Sequence, residues 1–412
     1  MIRDKDQVLI WASRKGREKL VKLLLEKGAN TRVRSLGGST ALHLAAEHGH
    51  DGTVRLLLES GADIAAHARF RRHTPLHWAI RSGHESVARL LIEKGADMNA
   101  RANAYKSSLH LAADYGQEAM VRLLLEKGCD VRVAGYFRIT ALHYAVSREH
   151  EAVARLLLEK GAEVDARGRR QETALHLATM KGYVTMVKLL LDKGANIAGR
   201  DSHGRTALHL ASLHTRTPVA RLLLERGADI TSRDNCGQTV LHMTRDRDEG
   251  EESIAMLNLL LEHGADVNAR DIDHSTPLHC AAEFELYEMI TVLLKNGAEV
   301  NARGNEGRTA LHCAALVRIM SEEKGLRAVE VLLDNGADID AQDDDQRTAL
   351  HWSVHYCAEG KVRLLVGRGI NITAGSFDGY TALELARVCN EESIALYLEE
   401  QLEAIATAAQ KC

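Results

Sequence analysis

Ten histidines recur at one fixed place in the chain, from His43, His77 and His110 through to His312 and His351. Imidazoles in a row, with carboxylates nearby, are the side chains that ligate metals or shuttle protons. The spacing argues against both. Successive histidines lie about one structural unit apart, whereas ligands of a single ion must converge at bonds of ~2 Å. One imidazole per unit at a constant position fits a structural hydrogen bond from each unit to the next. The seven cysteines are odd in number and contain no CxxC pair, so neither a disulfide framework nor a structural zinc site is expected. No GxSxG, phosphate-binding loop, HExxH or strand-borne GxGxxG is present. His355, Tyr356 and Asp345 come closest to a convergent catalytic set, but no spacing rule links them. The expectation is a non-enzyme with no catalytic residues, no metal and no cofactor.

The elements that carry these residues follow from an internal repeat. Thr40-Ala41-Leu42-His43 returns as Thr74-Pro75-Leu76-His77 and Ser107-Ser108-Leu109-His110. It returns again at Thr140, Thr173, Thr206, Thr239, Thr276, Thr309, Thr348 and Thr381, mostly in steps of 33 residues. A degenerate copy at Gln7-Val8-Leu9-Ile10 makes twelve. In each copy the Thr can cap a short first helix. A turn such as Gly49-His50 follows, then a second helix such as Val54-Arg55-Leu56-Leu57-Leu58 with apolar residues at helical spacing. Glycines such as Gly61, Gly95 and Gly128 end the second helices, as left-handed C-caps do. A polar, two-armed turn leads to the next Thr.

These motifs resemble the ankyrin repeat: Thr-Pro-Leu-His-x-Ala, Gly-His, Val-x-Leu-Leu-Leu, then Gly-Ala-Asp as at Gly61-Ala62-Asp63 and Gly336-Ala337-Asp338. The resemblance covers about residues 1–403. It implies an all-α ankyrin-repeat solenoid, built of stacked helix–turn–helix units with β-hairpin fingers on one side. It also implies a concave binding groove made by finger tips and first helices. One unit cannot bury its own apolar faces, so neighbours supply the core. Residues 1–412 then read as a single repeat domain, with residues 1–33 and 376–412 as polar capping repeats. Asn268 and Asn301 resemble asparagines that some ankyrin proteins hydroxylate, although asparagine is also a good turn former. The residue after each motif histidine is apolar or nearly so, with Trp11, Trp78 and Trp352 all at this place, and reads as a core column.

Departures from the repeat carry the functional reading. Steps of 37 and 39 residues contain charged insertions near Arg245–Ser253 and Arg318–Leu326. Four consecutive finger tips lack the usual small residues and glycine: Phe70-Arg71-Arg72-His73, Asn103-Ala104-Tyr105-Lys106, Tyr136-Phe137-Arg138-Ile139 and Arg169-Arg170-Gln171-Glu172. Aromatics beside arginines are the composition of an interface hot spot. The matching first-helix positions facing the groove are Arg81, Tyr115, Arg148 and Lys181. Later tips are acidic, as at Asp271, Asp273 and Asp343-Asp344-Asp345. Residues 1–200 hold 33 Lys and Arg against 22 Asp and Glu, a net of +11, whereas residues 201–412 carry a net of −15.

The expected function is a protein–protein interaction scaffold. Its partner would be another protein with an acidic, extended segment, held by the basic-aromatic tips of the third to sixth repeats. Alternatives are a recognition module of a larger protein, and, with less support, an enzyme or nucleic-acid binder built on the groove. The opposite charges of the two halves also allow weak self-association. With 45% apolar residues, no apolar run of 18 and no signal-like start, a membrane partner is not expected and a cytoplasmic or nuclear setting is.

Overall fold

The computed structural model describes residues 2–69, 72–244, 251–316 and 322–411. The insertion at 245–253 falls mostly outside these residues and that at 318–326 partly so. The chain divides into two compact units, residues 1–202 and 203–412, close to the boundary at which the sequence turns from basic to acidic. Among the described residues each unit holds six helix pairs. In the first unit the pairs run from Ile2–Arg14 with Glu18–Glu26 to Ala174–Lys181 with Val184–Asp192. In the second they run from Ala207–Leu213 with Thr217–Glu225 to Ala382–Val388 with Glu392–Lys411.

The expected all-α fold class holds. The fingers are plainer than the expected hairpins: among the described residues they carry only isolated antiparallel bridges, Arg34 with Thr40, Ala134 with Thr140 and Gly375 with Thr381. The core sits between helix pairs and repeats unit by unit. Leu57, Leu91, Leu124, Leu157 and Leu190 of successive second helices are completely buried, and Leu42, Leu76, Leu109, Leu142 and Leu175 of the first helices nearly so. The column after the histidine is less uniform than expected. Leu111, Leu210, Met243 and Trp352 are buried, but Trp11 is 52% exposed, because only one side of the first pair is covered by a neighbour.

The histidine row is structural in the way its spacing implied. Each motif histidine takes the third place of a capping box, where a glutamate or glutamine ordinarily stands. The Thr40 backbone N–H donates to His43 Nδ1 at 3.2 Å, and the Thr40 hydroxyl lies 2.8 Å from the same nitrogen. With Nδ1 accepting, the ring proton sits on Nε2, which donates to the His73 carbonyl of the next finger at 3.0 Å. His110 to Ile139, His143 to Glu172, His279 to Arg308 and His351 to Tyr380 repeat the arrangement. His77 departs from it: among the described residues its buried Nε2 makes no well-formed hydrogen bond, although the Ala100 and Lys106 backbone lies close enough to influence it. Burial lowers the pKa of His43 and His110 to about 4 and of His77 to about 3, the last helped by the neighbouring His73. Asn268 and Asn301 are also structural: Asn268 accepts from the Glu299 N–H and donates to the Gly297 carbonyl, one repeat on.

One buried ion pair links non-adjacent repeats in the second unit. Lys361 Nζ lies 2.6 Å from Glu285 Oε1 and 2.7 Å from the Ala314 carbonyl, and both side chains are almost wholly buried. Gly325 makes room for it. A Cβ there would stand 2.6 Å from Glu285 Oε1 and 2.8 Å from Lys361 Cε.

Candidate protein-binding surface

The finger tips are shaped by a backbone rule that the sequence hides. Two residues before each helix-capping Thr or Ser, the chain turns through positive φ in every described finger. Glycine fills that place at Gly38, Gly204, Gly237, Gly307 and Gly379, where the conformation is free of strain. In the third to sixth repeats it is filled by Arg72 (φ 49°), Tyr105 (55°), Arg138 (61°) and Gln171 (59°), and in two later, separate fingers by His274 (60°) and Gln346 (59°), so what sets the early fingers apart is the unbroken run of four. Phe137 and Arg170, one residue earlier, are left-handed as well, both at φ 55°. A side chain in that region costs about 1–2 kcal/mol. Four successive fingers therefore hold large side chains at strained tips where glycine would be easier to accommodate. Strain of this kind gathers at functional sites.

These side chains form a ladder across fingers. The Arg101 guanidinium lies 5.7 Å from the centre of the Tyr105 ring. Tyr105 stacks on Tyr136 of the next finger, with centroids 6.3 Å apart and planes 14° apart. Tyr136 meets Phe137 at 3.8 Å, and the Arg169 guanidinium covers Phe137 at 5.0 Å. About half of each of Tyr105, Tyr136 and Phe137 remains exposed. The rings are thus ordered by one another and still present apolar area, which lowers the entropy cost of using them.

Charge separates the expected site residues into two groups. Lys106 and Arg148 converge on Asp114, at 2.7 and 3.0 Å. Burial raises the Asp114 pKa, but the bonds and charges of Lys106 and Arg148 outweigh this and hold it below the usual carboxylate range. Lys106 also lies 4.3 Å above the Tyr144 ring. These two cations are engaged within the array. Among the described residues, Arg72, Arg138, Arg169, Arg170 and Lys181 have no carboxylate partner, and Arg81 rests 5.7 Å from the Trp78 ring. Tyr115 ends its first helix with its side chain 45% exposed. Phe70 and Arg71 lie outside the described residues.

The later fingers contrast with these. Arg303 pairs with Asp344, Arg308 with Glu306, and Arg347 with both Asp345 and Asp378. The carboxylates at Glu306, Asp344, Asp345 and Asp378 are thus answered by arginines of the same or the preceding finger, whereas Asp271 and Asp273 have no cationic partner among the described residues.

Sequence reading missed three members of the early surface. Leu36, on the finger before Thr40, is fully exposed and extends the apolar tips by one repeat. Arg101 sits outside the tip tetrad, and Asp114 acts from the end of a first helix. Only Leu36 had a visible signal, an apolar residue beside Gly37-Gly38 in a polar turn. Among the described residues no three His, Cys, Asp or Glu side chains gather as an ion site requires. No described helix is long and apolar enough to cross a membrane. The six described cysteines form no disulfide.

Comparison with known proteins bears on the fold. A family model described as ankyrin repeats (3 copies) matches residues 9–102, 101–168, 165–234, 231–304, 249–319 and 317–407. No curated protein sequence matches the chain. Among solved structures, the human ASB11 ankyrin repeat domain is 30% identical, with 54% of this chain and 98% of that one covered and a TM-score of 0.48. The ankyrin repeat domain of Bcl-3, described as a unique member of the IkappaB protein family, is 33% identical, with 54% and 99% covered and a TM-score of 0.48.

Proposed function

The chain belongs to the ankyrin-repeat family, whose repeats are generally protein–protein interaction modules, and we propose that it is a non-catalytic scaffold with one dominant binding strip. The strip runs over the finger tips of the third to sixth repeats. Its partner is an acidic, largely extended protein segment laid across successive fingers. Packed helices stand roughly 8–10 Å apart, and an extended chain advances about 3.3 Å per residue. A segment crossing the fingers therefore meets a new tip about every third residue. A carboxylate on Arg72, a second about six residues on at Arg138 and a third about three residues later at Arg170 would follow the tips, with apolar side chains between them on Tyr105, Tyr136 and Phe137. The observation that carries this reading is the run of large, exposed, strained tip residues with unanswered positive charge. A cytoplasmic or nuclear setting is part of the proposal, in keeping with the six described cysteines, all of which are free thiols.

The test uses a fluorescein-labelled peptide with Glu at every third position and Leu between, read by anisotropy. Binding should weaken steeply with salt and fall at least tenfold in Arg138→Glu with Arg170→Glu. Equal binding by wild type and the double variant, or by a Lys-for-Glu peptide, would contradict the proposal.

A further inference from the structure

We infer a second docking groove, within the second unit, that takes an extended protein segment of opposite chemistry: a basic side chain and a bulky apolar one, five or six residues apart. It is independent of the early strip. Two pockets of about 230 Å³ each open along the finger and first-helix face. Each has room for one long side chain rather than a drug-sized ligand.

The pocket of the ninth and tenth repeats bears Asp271, Asp273 and Glu283 on its walls. No cation pairs with any of these three among the described residues. Its one cationic wall is Arg308, which is already paired with Glu306 and stacked 4.4 Å from the centre of the Trp352 ring. The excess charge facing this pocket is negative, so it favours a lysine or arginine side chain.

The pocket of the eleventh and twelfth repeats is more apolar than the first. Trp352, Tyr380 and Leu385 line it with His351 and His355, and Arg347, Ser376 and Asp378 complete its walls. Trp352 is fixed in place: its Nε1–H donates to Asp343 Oδ2 at 2.9 Å, and the Arg347 guanidinium lies 5.3 Å from the ring. Arg347 is in turn held by Asp345 at 3.3 Å and Asp378 at 3.8 Å. Tyr380 and the neighbouring Phe377, 47% and 74% exposed, leave apolar surface at the rim. A leucine or aromatic side chain suits this pocket, where Arg347 already answers the carboxylates at Asp345 and Asp378.

Arg308 joins the two pockets, lining the first and resting on Trp352 of the second. Their centres lie two repeats apart, roughly 16–20 Å at the usual helix spacing. An extended chain covers that distance in about five or six residues. This sets the interval between the two anchoring side chains.

Trp352 is the only tryptophan of the second unit, so it serves as the reporter once Trp11→Phe and Trp78→Phe are made. The probe is a synthetic Ser/Thr peptide with Arg and Leu six positions apart. The expected result is a saturable change in Trp352 emission, at least tenfold weaker in Asp273→Lys with Glu283→Lys and at least fivefold weaker in Tyr380→Ala. Thermal melts establish that each variant is folded, and Arg138→Glu with Arg170→Glu in the early strip should leave the titration unchanged. A peptide with Arg and Leu adjacent should bind at least fivefold more weakly. No emission change up to millimolar peptide overturns the inference. So does equal binding of the adjacent-residue peptide, or of one with Glu in place of Arg.

Discussion

Acid should unfold the first unit through its histidines, well before its carboxylates matter. The Thr N–H and hydroxyl converge on Nδ1 in each capping box, so a proton added there meets donors rather than acceptors. The folded pKa is about 4 for His43 and His110 and about 3 for His77, against 6.5 when unfolded. The unfolded chain therefore binds protons first, and stability is complete above pH 6.5. It falls as the pH drops below 6.5 and levels off for each histidine near its folded pKa. At about 1.4 kcal/mol per pH unit, each of the three costs about 2 kcal/mol between pH 7 and pH 5. Together they remove about 6 kcal/mol, comparable with the whole stability of many domains. Urea melts at constant ionic strength from pH 7.5 to 5 give the slope, and hydrogen exchange by fragment locates the loss. His110→Gln should reduce the proton uptake on unfolding by one. A denaturation midpoint unchanged between pH 7 and 5, or ring resonances of His43 and His110 titrating near 6.5, would refute this reasoning.

Three further outcomes are expected. Leu57→Ala, Leu157→Ala and Leu190→Ala, at completely buried positions, should each cost about 2–5 kcal/mol. In a stacked array the faster hydrogen exchange should stay within the altered repeat and its neighbours; a rise along the whole chain would contradict this. Lys361→Ala should cost about 3–5 kcal/mol by leaving Glu285 buried without its cation, and Glu285→Gln with Lys361→Met should recover much of that loss in a thermal melt. Among the described cysteines, Cys236 on its exposed tip should react fastest with a thiol reagent. Cys129 and Cys313, whose pKa values burial raises to about 11 and about 12, should react slowest, as timed labelling of native protein would show.

The repeat made most of the fold legible. A motif seen once is weak, but eleven copies of one capping tetrad fix where every first helix starts, and the glycine after each second helix fixes where it stops. The histidines were legible for the same reason, since a position repeated in every unit serves what every unit shares. What stayed hidden depends on contacts between residues distant in sequence. The charges of Lys106 and Arg148 read as free because Asp114 lies eight and 34 residues away. The acidic tip at Asp344 looked available because its partner, Arg303, belongs to the preceding finger. Nothing in the sequence marks Lys361 as buried, because Gly325 and Glu285, which enclose it, are distant along the chain. The side-chain types of the early strip were legible, but the left-handed backbone beneath them was not, because only glycine announces that conformation in a sequence.

The binding strip is tested most directly by hydrogen exchange of the chain with and without its natural partner. Protection should appear in the segments spanning residues 101–106, 135–139 and 168–172, and the Phe137→Ala protein should lose it while releasing the partner faster. That substitution should cost about 2 kcal/mol or more of binding energy if Phe137 is an anchor. Protection confined to residues 271–283 and 343–385, with these three segments exchanging as in the free chain, would contradict the assignment.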